Sequence, residues 1–196
     1  MINSLKDLVA VDEQEKKQNF LLDFNRAITY DDYVKELGNY LSLHQMHYKK
    51  FASENDTINQ TKMCQPLKIL VLTEAWCADS LALLPIVRKI AEVNGHWELR
   101  ILYRDDNREL MDQFLTDGVR AIPVFLFLDE DGKFLFRWGP RPIATKKIFE
   151  ANRLLLRQGK IEKQEIIKKI RTFYARDRGR TTFAELMRLF KAQGIC

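Results

Sequence analysis

Residues 73–85, TEAWCADSLALLP, hold one cysteine, Cys77, and three residues on a serine, Ser80. Directly before it lies 68–73, KILVLT, a short apolar run rich in branched residues. Such a run predicts a strand buried on both faces. A helical pattern starts at about Cys77 and continues to Asn94, and Pro85 falls inside it, where a missing N–H predicts a kink. The stretch therefore reads as a buried strand that delivers a cysteine to the first turn of a helix. Unpaired N–H groups and the helix dipole at that place favour a thiolate.

Outward from there the pattern stays ordered. Residues 97–103, WELRILY, predict a second buried strand, which RDDN at 104–107 leaves. RELMDQFLTDG predicts a helix ending at Gly118. AIPVFLFLDEDGKFLFRW predicts two strands joined by a turn at Asp131-Gly132. A helix over 145–158, closed by Gly159, follows. A parallel pair joined by a helix and then an antiparallel hairpin make a mixed sheet with helices on both faces. The fold class is α/β.

Residues 1–65 read as a helical N-terminal extension. Its better helix spans 29–51, capped by Thr29 or Asp31, and ASENDTINQ at 52–60 reads as a loop. Residues 66–159 form the core. Residues 160–196 read as a basic extension of two helices packed with the core as one domain, the last opening on a capping box from Thr182 to Glu185.

No apolar run nears the roughly 20 residues that span a membrane, and the first residues lack the pattern of a signal peptide. The expected location is the cytoplasm. Three cysteines, 64, 77 and 196, are too few for a disulfide scaffold, so all three are expected to rest as thiols, with Cys196 mobile. Either Cys64 or Cys196 resolves Cys77 only if the chain folds back. Residues 141–196 carry fifteen Lys and Arg against five Asp and Glu, on a body that is net acidic. Such a tail can attract nucleic acid, but its bases alternate with apolar residues at helical spacing. Solvated helix faces are therefore expected, with neither nucleic acid nor membrane as partner. His44, His47 and His96 make no ligand cluster with the cysteines, so no metal is assigned.

The element order, with Trp76-Cys77 at the junction of first strand and first helix, resembles the thioredoxin family. Pro85 stands where that family has its helix-kinking proline. GVRAIPV at 118–124 is similar to its Gly-x-x-x-Ile-Pro segment, which implies a cis Pro123. Gly139 follows the hairpin where the family also places a glycine. The resemblance covers about 68–158. The whole chain is similar to a narrower bacterial group with a helical N-terminal extension and WCxDS-type sites, matched here at Trp76–Ser80, 104–107, 137–142 and 176–182.

Two departures bear on chemistry. Ser80 replaces the second cysteine of dithiol enzymes and cannot form a disulfide. Val71 stands where thioredoxins have a buried aspartate, and Glu74 is near but not equivalent. What remains is a monothiol pattern like that of C-x-x-S glutaredoxins. Cys77 is then the nucleophile of thiol–disulfide exchange or deglutathionylation, and an external thiol must release it. Ser80 can donate a hydrogen bond to the thiolate, while Asp79 opposes it as a nearby negative charge. The resemblance implies that Trp76, Ile122 and Pro123 contact substrate, the Ile122 backbone by pairing with an extended strand. The expected partners are protein thiols or disulfides, or a low-molecular-weight thiol. Some monothiol glutaredoxins hold an iron–sulfur cluster, but only the spacing is shared here, and no cofactor is required. Arg104 and Arg141 have two readings: pairs for nearby acids, or cations that favour the thiolate. The whole site also has two, a monothiol exchanger or a non-catalytic groove that binds a protein.

Overall fold

The computed structural model describes residues 18–54 and 64–196. The helical expectation for 1–17 lies outside them. The central sheet has five strands in the order β1-β3-β2-β4-β5. These are β1 (Ile28–Thr29), β2 (Leu67–Thr73), β3 (Trp97–Tyr103), β4 (Val124–Leu128) and β5 (Phe134–Trp138). β2 runs parallel to β3 and antiparallel to β4, and β4 and β5 form the hairpin. The helices are α1 (Leu21–Arg26), α2 (Tyr30–Lys35), α3 (Leu41–Glu54), α4 (Ala78–Asn94), α5 (Arg108–Asp112), α6 (Ile143–Arg157), α7 (Lys163–Asp177) and α8 (Arg180–Ala192). This is the α/β thioredoxin-like arrangement, a mixed sheet flanked by helices.

Alternation along the two central strands builds two cores. Ile69, Val71, Phe125 and Phe127 point to one face, among residues of α2, α4, α7 and α8. Leu70, Leu72, Leu126 and Leu128 point to the other, among Phe20, Phe24, Met111 and Phe114. A strand flanked on both sides and covered on both faces has no polar side to show, which is why 68–73 reads as a continuous apolar run.

The ends of the chain are more deeply built in than their composition suggests. The N-terminal segment, read as a helical extension with a loop and no strand, supplies β1, pairing Ile28 with Ile101 and Thr29 with Arg100. The helix expected over 29–51 is broken. α2 ends at Lys35, a short 3-10 turn fills Gly38–Tyr40, and α3 follows. Gly38, at φ +48, supplies the left-handed residue that interrupts it. Thr29 does cap α2, accepting from the Asp32 N–H at 3.1 Å. α3 runs to Glu54, into the stretch expected to be a loop, and 55–60 lie outside the described residues.

Three further expectations are corrected. The helix after Asn107 stops at Asp112, and a bridge between Thr116 and Val119 replaces its second half. The capping box is absent: α8 starts at Arg180, and the Asp177 carboxylate accepts from the Thr181 N–H at 3.0 Å. Glu185 instead turns inward, taking the Trp138 indole N–H at 2.8 Å and the Ile143 N–H, first of α6, at 2.8 Å. Cys196 is not mobile, because it forms a disulfide with Cys64.

α8 reaches under the sheet. Phe190 is fully buried and its ring centroid lies 4.9 Å from Trp97, 5.3 Å from Phe127 and 6.1 Å from Phe136. Gly132 closes the hairpin at φ +81, and a Cβ there would lie 2.6 Å from that of Leu21, so only glycine lets α1 sit against the turn.

Candidate functional site

β2 ends at Thr73 and the chain turns through Glu74 to Cys77, which is the N-cap of α4. The Cys77 N–H donates to the Glu74 carbonyl at 3.1 Å, and its own carbonyl accepts from Leu81 at 3.1 Å. The residue is 7% exposed, and its Sγ donates to the Ile122 carbonyl at 3.5 Å. The Ile122–Pro123 peptide beside it is cis. Gly139 packs against the same segment, where a Cβ would stand 2.3 Å from the Pro123 carbonyl oxygen. A second cis peptide, Gly139–Pro140, follows within the WGPRP segment at 138–142.

Burial pushes the Cys77 thiol above its usual range. The Ser80 hydroxyl and N–H and the Asp79 N–H pull it back, while the Asp79 carboxylate adds to the rise. The net direction is up. Ser80 is fully buried, and its hydroxyl also pairs with that of Thr73 at the end of β2. Trp76 is 52% exposed, with the Arg104 guanidinium 5.2 Å from its ring centroid.

Arg104 and Arg141 divide the roles left open for them. Arg104 pairs with Asp105 at 2.8 Å, in its own RDD segment. Arg141 grips Asp79, Nε to Oδ2 at 2.8 Å. The other oxygen of Asp79 accepts from the Tyr174 hydroxyl at 2.9 Å, and Thr145 lies 3.4 Å from that hydroxyl. So the first turn of α4, the 139–142 loop and α7 are tied together beside the cysteine. Asp79, a negative charge near the sulfur that also suits the first turn of the helix, is the centre of that tie.

Glu74 is a buried acid next to the site. Its carboxylate accepts from the Asp105 N–H at 2.9 Å, and burial raises its pKa. It faces the loop after β3, and Val71, fully buried, leaves the aspartate position apolar.

A groove of about 360 Å³ opens on Cys77. Trp76, Ile122 and Pro140 give it apolar walls, and Asp79 and Tyr174 line it on the α7 side. Five cations surround it: Arg104, Arg120, Arg141, Lys163 and Arg171. A larger hollow of about 610 Å³ lies between α3, α4 and α7, sharing Arg171 and Tyr174 with the groove but not touching Cys77. Trp76, Cys77 and Ile122 are therefore gathered at one groove, with Pro123 joined to Ile122 and Ser80 buried behind the sulfur. Arg120, Pro140, Lys163, Arg171 and Tyr174 were missed. The signal for α7 was present in Ile166, Ile170 and Tyr174, spaced by four and all buried.

A sequence profile described as thioredoxin matches residues 27–153, well over half of the chain. The chain belongs to the thioredoxin family. No curated protein matches this thioredoxin-family chain. Among solved structures it is similar to a protein of unknown function from Pseudomonas aeruginosa, at 19% identity and a TM-score of 0.62, covering 87% of this chain and 98% of that one. It is also similar to an HIV epitope scaffold, at 17% identity and a TM-score of 0.63, with the same coverage. At such identities the likeness concerns the fold. Among the described residues, no helix is long and apolar enough to cross a membrane. No group of three His, Cys, Asp or Glu could hold a metal ion among them.

Proposed function

We propose that this protein carries out monothiol thiol–disulfide exchange at Cys77, of the kind that removes a small thiol from a mixed disulfide. One observation carries the reading: the Cys77 sulfur stands at the start of α4, 3.5 Å from the carbonyl before cis Pro123, facing an open groove. Cys64 and Cys196 are joined to each other, so neither offers a thiol to resolve it. Cys77 acts as nucleophile. Ser80 supports the thiolate, and Trp76, Ile122 and Pro123 shape the contact with substrate. An external thiol completes the cycle. The partners are protein disulfides or a low-molecular-weight thiol.

The experiment uses a peptide carrying a mixed disulfide with glutathione, and free glutathione as reductant. Release of the peptide thiol should accelerate with the wild-type chain and fall to the uncatalysed rate with Cys77→Ser.

A second reading has its own support. The buried thiol is raised, not lowered, which favours a groove that binds a protein without turnover. A binding module retains its partner after Cys77→Ser and shows no turnover before it.

A further inference from the structure

We propose that the groove at Cys77 selects low-molecular-weight disulfides that carry carboxylates near the sulfur. The inference deepens the exchange reading and rests on it for the chemical step. Its own ground is charge. Five cations line the groove and Asp79 is the carboxylate among its lining residues. That carboxylate is already occupied, by Arg141 on one oxygen and Tyr174 on the other. Arg104 and Arg120 have partners outside the lining, Asp105 and Asp112. Lys163 and Arg171, both exposed on α7, make no salt bridge among the described residues. The groove therefore carries two cations, Lys163 and Arg171, that no salt bridge offsets among the described residues, with apolar surface from Trp76 to hold the body of a ligand. A space of about 360 Å³ suits a small molecule. Concave sites lined by one sign of charge raise the local concentration of the opposite sign.

In the step itself, the Cys77 thiolate attacks one sulfur of R–S–S–R. The Cys77–sulfur bond forms as the old S–S bond breaks, and RS⁻ leaves with the electron pair and takes a proton from water. An external thiolate then attacks the sulfur carried by Cys77. It departs as a new disulfide and returns Cys77 as thiolate. The starting disulfide is the oxidant and the external thiol the reductant, so the protein is unchanged over the cycle.

The test uses the full chain with its Cys64–Cys196 bond intact and three disulfides of similar size: dithiodipropionate (anionic), hydroxyethyl disulfide (neutral) and cystamine (cationic). Rates of adduct formation at Cys77 are divided by those of a free small thiol, which removes intrinsic leaving-group differences. At low salt the anionic probe should lead the cationic one by about ten-fold or more. The gap should shrink as salt screens the groove. Lys163→Glu with Arg171→Glu should close most of it. Equal normalised rates that ignore salt and charge reversal overturn the selectivity while leaving exchange standing. If no probe forms an adduct, exchange itself fails, and glutarate binding followed by Trp76 fluorescence still decides the charge question. Saturable quenching lost in the double variant keeps the anion site, and no quenching removes it.

Discussion

The Tyr174 hydroxyl donates to the Asp79 carboxylate at 2.9 Å across 95 residues of sequence. It joins the penultimate helix to the turn that carries the cysteine. Arg141 completes the arrangement from a third segment. Tyr174→Phe should cost about 1.5–3 kcal/mol, one hydrogen bond to a charged group. Asp79→Ala should cost about 3 kcal/mol, because it strands the partly buried guanidinium. Denaturant unfolding of the single and double variants measures both. Strict additivity in that cycle would mean the three groups do not act as a unit.

Titration of the thiol is the most direct check on the site. In the oxidised protein Cys77 is the free cysteine, so alkylation reports it alone. The midpoint should lie above that of an ordinary thiol, because burial outweighs the help from Ser80. Ser80→Ala should move it higher still. A midpoint below the ordinary range would show that the helix start dominates.

His44 makes stability pH-dependent. It is 1% exposed, with Nε2 at 2.6 Å from the Tyr30 hydroxyl, and burial lowers its pKa from 6.5 to about 4. The unfolded chain therefore takes up a proton at higher pH than the folded one. Stability is fully present above pH 6.5 and falls as the pH drops toward 4. The loss attributable to His44 is up to roughly 3 kcal/mol. His47, also lowered by burial to about 4, titrates in the same window. His44→Phe should therefore remove about half of the slope there, and an unchanged slope would assign it to other groups.

The Cys64–Cys196 bond closes a loop with a sequence separation of 132. Chain-entropy arguments put its contribution at about 4–5 kcal/mol. Reduction should lower Tm, and Cys196→Ser should lower it equally without reductant. If reductant leaves Tm unmoved, the bond adds nothing to stability.

Phe190→Ala should cost about 3–5 kcal/mol, since its ring fills the space between Trp97, Phe127 and Phe136. A loss below 1 kcal/mol would place α8 outside the core.

Much of the fold was legible in short segments, for a physical reason. β2 and β4 are buried on both faces, so their apolar runs stand out without periodicity. The hairpin turn at Asp131-Gly132 carries its own backbone requirement. What stayed hidden depends on partners far away in sequence. Glu185 looked like half of a capping box because the spacing fits, and only the nearby Trp138 and Ile143 N–H groups show where its carboxylate goes. Cys64 and Cys196 are separated by 132 residues, and composition alone argued against a bond. Cys77, Trp76 and Ile122 could be named from local motif. Of the groove's cations only Arg104 and Arg141 were named; Lys163 and Arg171 look like any solvated helix face until α7 is placed.

The position of α8 also bears on where this protein can be divided. The thioredoxin profile ends at residue 153, before α7 and α8 begin. A fragment cut there would lose Phe190 and Leu186 and leave the stacked rings of Phe127 and Phe136 facing water. It would also lose Glu185, stranding the Trp138 indole and the first N–H of α6. Such a fragment should be sticky and poorly soluble however well it matches the family. The border of recognisable kinship runs through the middle of one indivisible core.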